Sequence, residues 1–318
     1  MPYQKITLTD FGGPEKLELK QEDHLPQPGP QQVRVKVLAA GTGFTDTIVR
    51  QGQYVDVKEK PPFTPGYDWY GVIDALGSEV NDWQVGQAVA DLSIIGGYTQ
   101  YLCTDVSRLI PAPEGLDPAE AVSMVLSYGT AYQLLHRLRG LAPGDKVLVH
   151  GGGGAVGTAL LELAALLQLE VYSTTSASKR ALVQSLGAQH IDYQHEDFVE
   201  RTLALSGGGV DLVLDTIGGR NWSRSYRCLK RGGLLVGFGA LQLTSGEEST
   251  PQLLWGLAKL LGFWKLIPDG KRTCFYNIEH RRRKHPEEFL QDMGALFTLL
   301  KDEKISPRIA GRLPLSEA

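Results

Sequence analysis

Three glycines with the spacing Gly152-x-Gly154-x-x-Gly157 stand inside the run KVLVHGGGGAVGTALLELAALLQL. Each glycine has a steric reason in a dinucleotide site. The first permits a tight turn, the second lets the backbone approach a pyrophosphate, and the third lets a helix pack close to a sheet. The pattern alone is weak. Here the apolar run KVLVH precedes it and the helical segment TALLELAALLQL follows, which is the strand-then-helix context the motif needs. A helix N-terminus in that place offers free N–H groups and the positive end of a dipole to phosphates.

The end of the next strand selects the dinucleotide. An Asp or Glu about 20 residues on would bind a ribose 2′-OH. This sequence reads YSTTSASKR there, so no carboxylate is present. Ser173, Thr174, Thr175 and Ser176 are neutral donors, and Lys179 and Arg180 follow. An acid would repel a 2′-phosphate, whereas hydroxyls and a cation hold it. A lysine in the first turn of a helix is unfavourable in isolation, which again fits an anion nearby. The pattern implies NADPH. His150, beside the glycines, reads as structural. Ser173 and Ser176 have no nearby His-Asp partner, so a hydrolase has no support.

The chain that positions these residues has 318 of them, 42% hydrophobic and 21% charged, enough for more than one domain. A net charge of −4 excludes nucleic-acid binding through bulk charge. Cys103, Cys228 and Cys274 are widely spaced and form no CxxC, so a reducing, cytoplasmic setting is expected. The N-terminus MPYQKITLTDFGG lacks an apolar signal core. The greasiest run, Leu253 to Ile267, is too short to span a membrane and contains Lys259 and Lys265. It reads as a buried or half-buried helix, with a membrane-surface or substrate-lid role as the alternative.

Up to about Pro118 the sequence shows short strands with glycine turns, such as QQVRVKVLAAG and YGVIDALG, and no ten-residue helical stripe. Asp117-Pro118 then suits a helix start. From KVLVH onward strand and helix alternate: EVYST, SASKRALVQSLGA, HIDY, EDFVERTLALSGG, VDLVLDTIGG and GGLLVGFGA. The expected fold class is α/β, a Rossmann-type doubly wound parallel sheet joined to a β-rich domain. PDGKRTCFYNI reads as a further strand and HPEEFLQDMGALFTLLKDEKI as an amphipathic helix. RRRK, Arg281 to Lys284, reads as a solvated helix start, with a phosphate site as the alternative.

Taken together, VRVKVLAAGTGFTDTIVRQGQY, PPFTPGYDWYGVIDALGSEV, WQVGQAV, LSYGTAYQLL, APGDKVLVHGGGGAVG, VDLVLDTIGG and LKRGGLLVGFG resemble the medium-chain dehydrogenase/reductase superfamily. The likeness is to its zinc-free NADPH:quinone oxidoreductase branch. LSYGTAYQLL and the PDGKRTCFYNI…HPEEF tail are similar to the vesicle amine transport-like subgroup. The resemblance covers nearly the whole chain. It implies a GroES-like catalytic domain from residues 1–120 and 265–318, an NADPH-binding Rossmann domain from 121–264, and a substrate cleft between them. It also implies a homodimer built on the edge of the nucleotide-domain sheet, with Thr273 to Ile278 as the edge strand. Beyond LPLSEA it leads one to expect a further helix and a strand with a Gly-Lys pair.

Zinc-dependent members use a Cys, a His-Glu pair and a second Cys. Here Gly43 stands at the first position, Tyr67 and Asp68 at the pair, and no cysteine lies near Ser127, so no metal is expected. Without a Lewis acid the acceptor must already be electrophilic, a quinone or an α,β-unsaturated carbonyl. Tyr54 matches the tyrosine that related enoyl-thioester reductases use as proton donor. A phenol with a pKa of about 10 can donate while neutral. The alternative is that Tyr54 only lines the pocket; Asp46 and Tyr128 are further pocket candidates, Tyr128 with core packing as its alternative. Pocket walls are expected around residues 51–62 and 241–267. Carried over residue by residue, Thr130 lies near the nicotinamide, and Gly152, Gly154, Ala155, Val156 and Gly157 surround the pyrophosphate. Ser176 and Lys179 meet the 2′-phosphate, Tyr193 packs beside the adenosine phosphate, and Phe238 and Gly239 face the carboxamide. The functional alternatives are an enoyl-thioester reductase of a biosynthetic pathway and an NADPH-binding module with little turnover.

Overall fold

The computed structural model describes residues 1–239, 241 and 249–318. These form two compact units, residues 1–129 with 286–318, and residues 130–285.

The first unit is built on an antiparallel sheet. Strands β1 (Tyr3–Leu8) and β2 (Leu17–Glu22) pair as a hairpin. Five more strands form a sheet in the order β6-β3-β4-β5-β7, with β3 at Gln32–Ala40, β4 at Trp69–Leu76, β5 at Ala88–Asp91, β6 at Tyr101–Asp105 and β7 at Ile110–Pro111. Alternation sets the core face. Val33 and Val35 are buried while Lys36 is exposed, and the valines pack with Trp69, Ile73, Val89 and Leu109. Helix α1 (Phe44–Arg50) interrupts this pattern. At seven residues it is too short to show an apolar stripe, so periodicity missed it. Helix α2 (Pro118–Ser123) starts as the Asp-Pro pair implies: Asp117 Oδ1 accepts from the N–H groups of Ala119 and Glu120 at 3.0 and 3.1 Å. It runs through a π-helical turn, Met124–Tyr128, into α3 (Gly129–His136). The long helix Pro286–Lys301 buries Phe289, Met293, Leu296, Phe297 and Leu300, a 3.6-residue stripe.

The second unit carries six parallel strands in the order β10-β9-β8-β11-β12-β13. Their ranges are β8 Lys146–His150, β9 Glu170–Thr175, β10 Gln189–Asp192, β11 Val210–Asp215, β12 Leu229–Gly237 and β13 Arg272–Phe275. Helices α4 (Ala155–Leu166), α5 (Arg180–Ser185), α6 (Phe198–Ser206) and α7 (Arg220–Arg227) connect the strands up to β12. The central runs are apolar because both faces are covered: Val147, Leu148, Val149, Leu212, Val213 and Leu214 are all fully buried. From β8 the chain winds one way to β10, then returns and winds the other way from β11. Ligands of such sheets bind beyond the strands' carboxyl ends at that reversal.

Strand β13 is the sheet's edge, and its pairing with β12 carries this unit past residue 264 to His285. The helix Thr250–Leu261 is half-buried: Leu260 is inside while Leu254 and Trp255 are exposed. Residues 242–248 of the expected pocket wall lie outside the described residues. The RRRK run is a correction. It forms the last turn of the helix Ile278–Lys284 rather than a start, where its charges complement the dipole. Among the described residues, no helix is long and apolar enough to cross a membrane.

Candidate active site

In the second unit the candidate cofactor residues gather at the carboxyl ends of the parallel strands. Gly151 follows β8 and turns with a φ of 70°, a conformation glycine adopts without strain. The loop is shaped by side chains that are not there. A Cβ on Gly152 would run into the Ser173 hydroxyl of β9, and one on Gly157 would strike Gly151 O and come within 2.6 Å of Gly152 Cα. Gly154 caps α4 with extended backbone. The helical ladder starts with Thr158 N–H donating to Gly154 O, so the N–H groups of Ala155, Val156 and Gly157 lie ahead of it. That is the anion-binding end of a helix, and a pyrophosphate fits it.

Ser176 precedes a short turn, Ala177–Lys179, and its hydroxyl pairs with that of Ser178 at 3.0 Å. The stem of Lys179 lies across the glycine loop. A Cβ at Gly153 would come within 3.0 Å of Lys179 Cγ and 3.2 Å of its Cβ. The exposed ammonium of Lys179 makes no hydrogen bond or ion pair among the described residues. Tyr193 follows β10 and is more than half exposed. Phe238 N–H donates to Asp215 O at 3.0 Å, and Gly239 lies against Thr216. Thr130, on α3, is buried.

Beneath this rim runs a buried polar chain. His150, the last residue of β8, bonds Thr174 Oγ1 at 2.8 Å and Ser225 Oγ at 3.0 Å. Ser225 donates to Asp215 Oδ2 at 2.6 Å, and Asp215 Oδ1 accepts from Ile217 and Gly218 N–H. Burial lowers the imidazole's proton affinity. The histidine ties the ends of β8 and β9 to α7, the structural role its position suggested.

The first unit brings together a different set. Tyr54 Oη lies 2.6 Å from Tyr67 Oη, with the rings edge to face at 5.6 Å and 89°. Tyr67 is fully buried and Tyr54 half-buried. Asp46, on α1, reaches back to Gly43 N–H at 2.9 Å and accepts from Tyr67 N–H at 3.1 Å. Burial pushes its carboxyl up to about 6, although these hydrogen bonds pull the other way. Asp68 accepts from Leu126 N–H, in the π-helical turn, at 3.2 Å. Its carboxyl is pushed up to about 8, by burial first and by the charge of Asp46 second. The Tyr98 hydroxyl, bonded to Thr42 Oγ1 at 3.0 Å, faces Asp46, and burial raises its proton affinity. Tyr128 is buried in the same π-helical turn that supplies Leu126. π turns recur at functional sites. The Tyr54–Tyr67 pair had no signal in the sequence, because the segment joining the two residues has no regular period.

Two family models match the chain. One, described as alcohol dehydrogenase GroES-like domain, covers residues 29–114. The other, described as zinc-binding dehydrogenase, covers residues 155–265. A synaptic vesicle membrane protein VAT-1 homolog of Danio rerio is 33% identical over 315 residues, 96% of this chain and 64% of that protein. The chain thus spans just under two thirds of that relative's length. A quinone oxidoreductase of Pseudomonas aeruginosa is 34% identical over 244 residues, 74% of this chain and 73% of that protein.

The chain belongs to the medium-chain dehydrogenase/reductase superfamily. Its place is in the quinone oxidoreductase-like branch. Among solved structures, Escherichia coli quinone oxidoreductase complexed with NADPH superposes with a TM-score of 0.83 at 26% identity, covering 96% of this chain and 90% of that one. The α/β architecture of this superfamily, a parallel Rossmann-type sheet with an antiparallel GroES-like unit, is the one the sequence led us to expect. The name zinc-binding dehydrogenase describes the matching model. In this member, Gly43 offers no side chain, Asp68 is held by a backbone N–H, and the Tyr67 hydroxyl is engaged by Tyr54. Those residues do not fit a Cys/His zinc site. Among the described residues, no group of three or more His, Cys, Asp or Glu could hold a metal ion.

Proposed function

We propose that the protein is a zinc-independent, NADPH-dependent reductase that delivers a hydride to a quinone or an α,β-unsaturated carbonyl. Membership of a superfamily of oxidoreductases, and likeness to a quinone oxidoreductase complexed with NADPH, support the cofactor and the reaction type. The observation that carries the rest is the pair of tyrosine hydroxyls 2.6 Å apart: Tyr67, which the resemblance aligns with a ligand position of zinc-dependent members, is engaged by Tyr54. With phenols there, no Lewis acid polarises an ordinary ketone or alcohol, and the acceptor must bring its own electrophilicity.

Bound NADPH supplies the hydride. This chain's residues do the positioning and the proton work. Gly152, Gly154, Ala155, Val156 and Gly157 hold the pyrophosphate against the N-terminus of α4. Ser176 and Lys179 meet the 2′-phosphate, and Tyr193 lies beside it. Thr130, Phe238 and Gly239 take the nicotinamide side. Tyr54 donates a proton from Oη to the reduced acceptor, while Asp46 and Tyr128 shape the pocket. Asp46 does so through Tyr67, whose backbone N–H it holds.

NADPH oxidation followed by absorbance, with a benzoquinone, a naphthoquinone, a simple enone and a short enoyl-CoA, each repeated with NADH, tests this. The expected result is turnover of a quinone or the enone with NADPH well ahead of NADH. Turnover of the enoyl-CoA alone would replace the acceptor class. Tight NADPH binding without turnover would replace the enzyme by a binding module.

A further inference from the structure

The geometry points to Tyr67 as a positioning residue that donates its hydroxyl hydrogen to Tyr54 Oη and holds the Tyr54 phenolate formed when the acceptor is protonated. This rests on the reading of Tyr54 as proton donor and adds the group that makes it effective.

Two phenol oxygens at 2.6 Å share one hydrogen, so one donates and the other accepts. Burial decides which. A phenolate at Tyr67 would carry its charge in a fully buried ring. Asp46, ionised above about pH 6, is bonded to that residue's own N–H, and its charge adds to the cost. Tyr54 is half-exposed, and a charge there costs less. Tyr67 therefore keeps its proton and acts as the donor. Its hydrogen occupies a lone pair of Tyr54, not the hydrogen of Tyr54. The edge-to-face packing at 89° fixes the approach.

During reduction the electrophile gains a hydride at carbon. The Tyr54 O–H bond then breaks, its proton passes to the anionic product, and the electron pair stays on Tyr54 Oη. The Tyr67 O–H···O bond becomes charge-assisted at that moment and strengthens. An interaction stronger after the transfer than before it lowers the barrier rather than the Michaelis constant. Water returns the proton to Tyr54 afterwards.

The test compares wild type, Y67F, Y54F and Y54F/Y67F. The kcat and KM are measured with NADPH and an enone, and the Kd for NADPH by fluorescence. Phenolate absorbance is followed across alkaline pH. The phenolate signal of Tyr54 is the wild type minus Y54F difference; with Tyr67 removed it is Y67F minus the double variant. Asp46 bonds the Tyr67 N–H, Asp68 and Tyr98 interact with Asp46, and Asp56 and Lys58 lie on the loop of Tyr54. All are common to the four proteins. The expected result is a kcat about tenfold lower in Y67F, with KM and the NADPH Kd within about twofold. Y54F should be slowed at least as much, and the double variant should be no slower than Y54F. The Tyr54 phenolate should appear about one pH unit higher once Tyr67 is removed. A slow Y54F beside a Y67F at the wild-type rate overturns this inference and leaves the proton-donor reading standing. A Y54F at the wild-type rate overturns both. Multiplying effects in the double variant would show that Tyr67 acts separately from Tyr54. If none of the acceptors turns over, an unmoved Tyr54 phenolate signal overturns the inference by itself.

Discussion

Gly157 and Asp68 illustrate two ways to build a site. At Gly157 the space a side chain would need is filled by the carbonyl of Gly151, and the N–H groups at the start of α4 do the binding. At Asp68 a carboxyl is buried beside a second one, and its proton affinity is set by those surroundings. The nucleotide loop works through backbone geometry, which tolerates no added atom. The acid-phenol cluster works through desolvation, which shapes of the same size leave intact while the chemistry changes. Substitutions should therefore hurt the two regions in different currencies: affinity in the second unit, protonation in the first.

The largest effect should come from Gly157→Ala. Its Cβ meets backbone atoms that no rotamer change can move. NADPH binding should weaken by more than about a hundredfold, read by calorimetry, with a fall in Tm. Near-native affinity would break the comparison. Lys179→Glu should come next. It replaces the cation over Gly153 with an anion, and the KM for NADPH should rise about 30-fold or more while NADH changes little. Equal losses with both cofactors would mean that Lys179 supports the loop and not the 2′-phosphate.

Asp68→Asn tests the other half. A carboxyl raised to about 8 in the folded protein, from about 4 in the unfolded chain, keeps its proton on folding. Its stabilisation is complete below the unfolded pKa and is lost as pH rises through the folded one. Asp46, raised to about 6, is ionised above that pH, and buried His150 opposes the slope only up to about its unfolded pKa of 6.5, so between pH 7 and 8 the slope belongs chiefly to Asp68. Wild-type unfolding free energy should drop by up to about 1.4 kcal/mol per pH unit there. Asp68→Asn, neutral throughout, should flatten that slope, as measured by urea denaturation at several pH values. A slope unchanged by the substitution would place the titration elsewhere.

The same contrast explains what could be read in advance. The glycine spacing, the neutral end of β9 and the alternation of strand and helix are local patterns, and they located Gly152, Gly154, Gly157, Ser176 and Lys179 at the strand ends. In the sequence Tyr67 and Asp68 stand out only as residues at positions where others hold zinc. That Tyr67 meets Tyr54, and that Leu126 reaches Asp68 from a π-helical turn, depends on contacts across an irregular segment and between distant elements. Short α1 carries no apolar stripe long enough to read, and the RRRK run does not say which end of its helix it occupies, because charge alone does not give direction.

Ser173 is fully buried in β9, and among the described residues its hydroxyl has no hydrogen-bond partner. It occupies the volume that a methyl group on Gly152 would claim. The two positions thus share one parcel of space. Over evolutionary time neither is free to drift alone: alanine at the first becomes admissible once glycine stands at the second. A lineage that made both exchanges would keep the loop's shape while spelling the motif differently, and a search keyed to four consecutive glycines would pass it by.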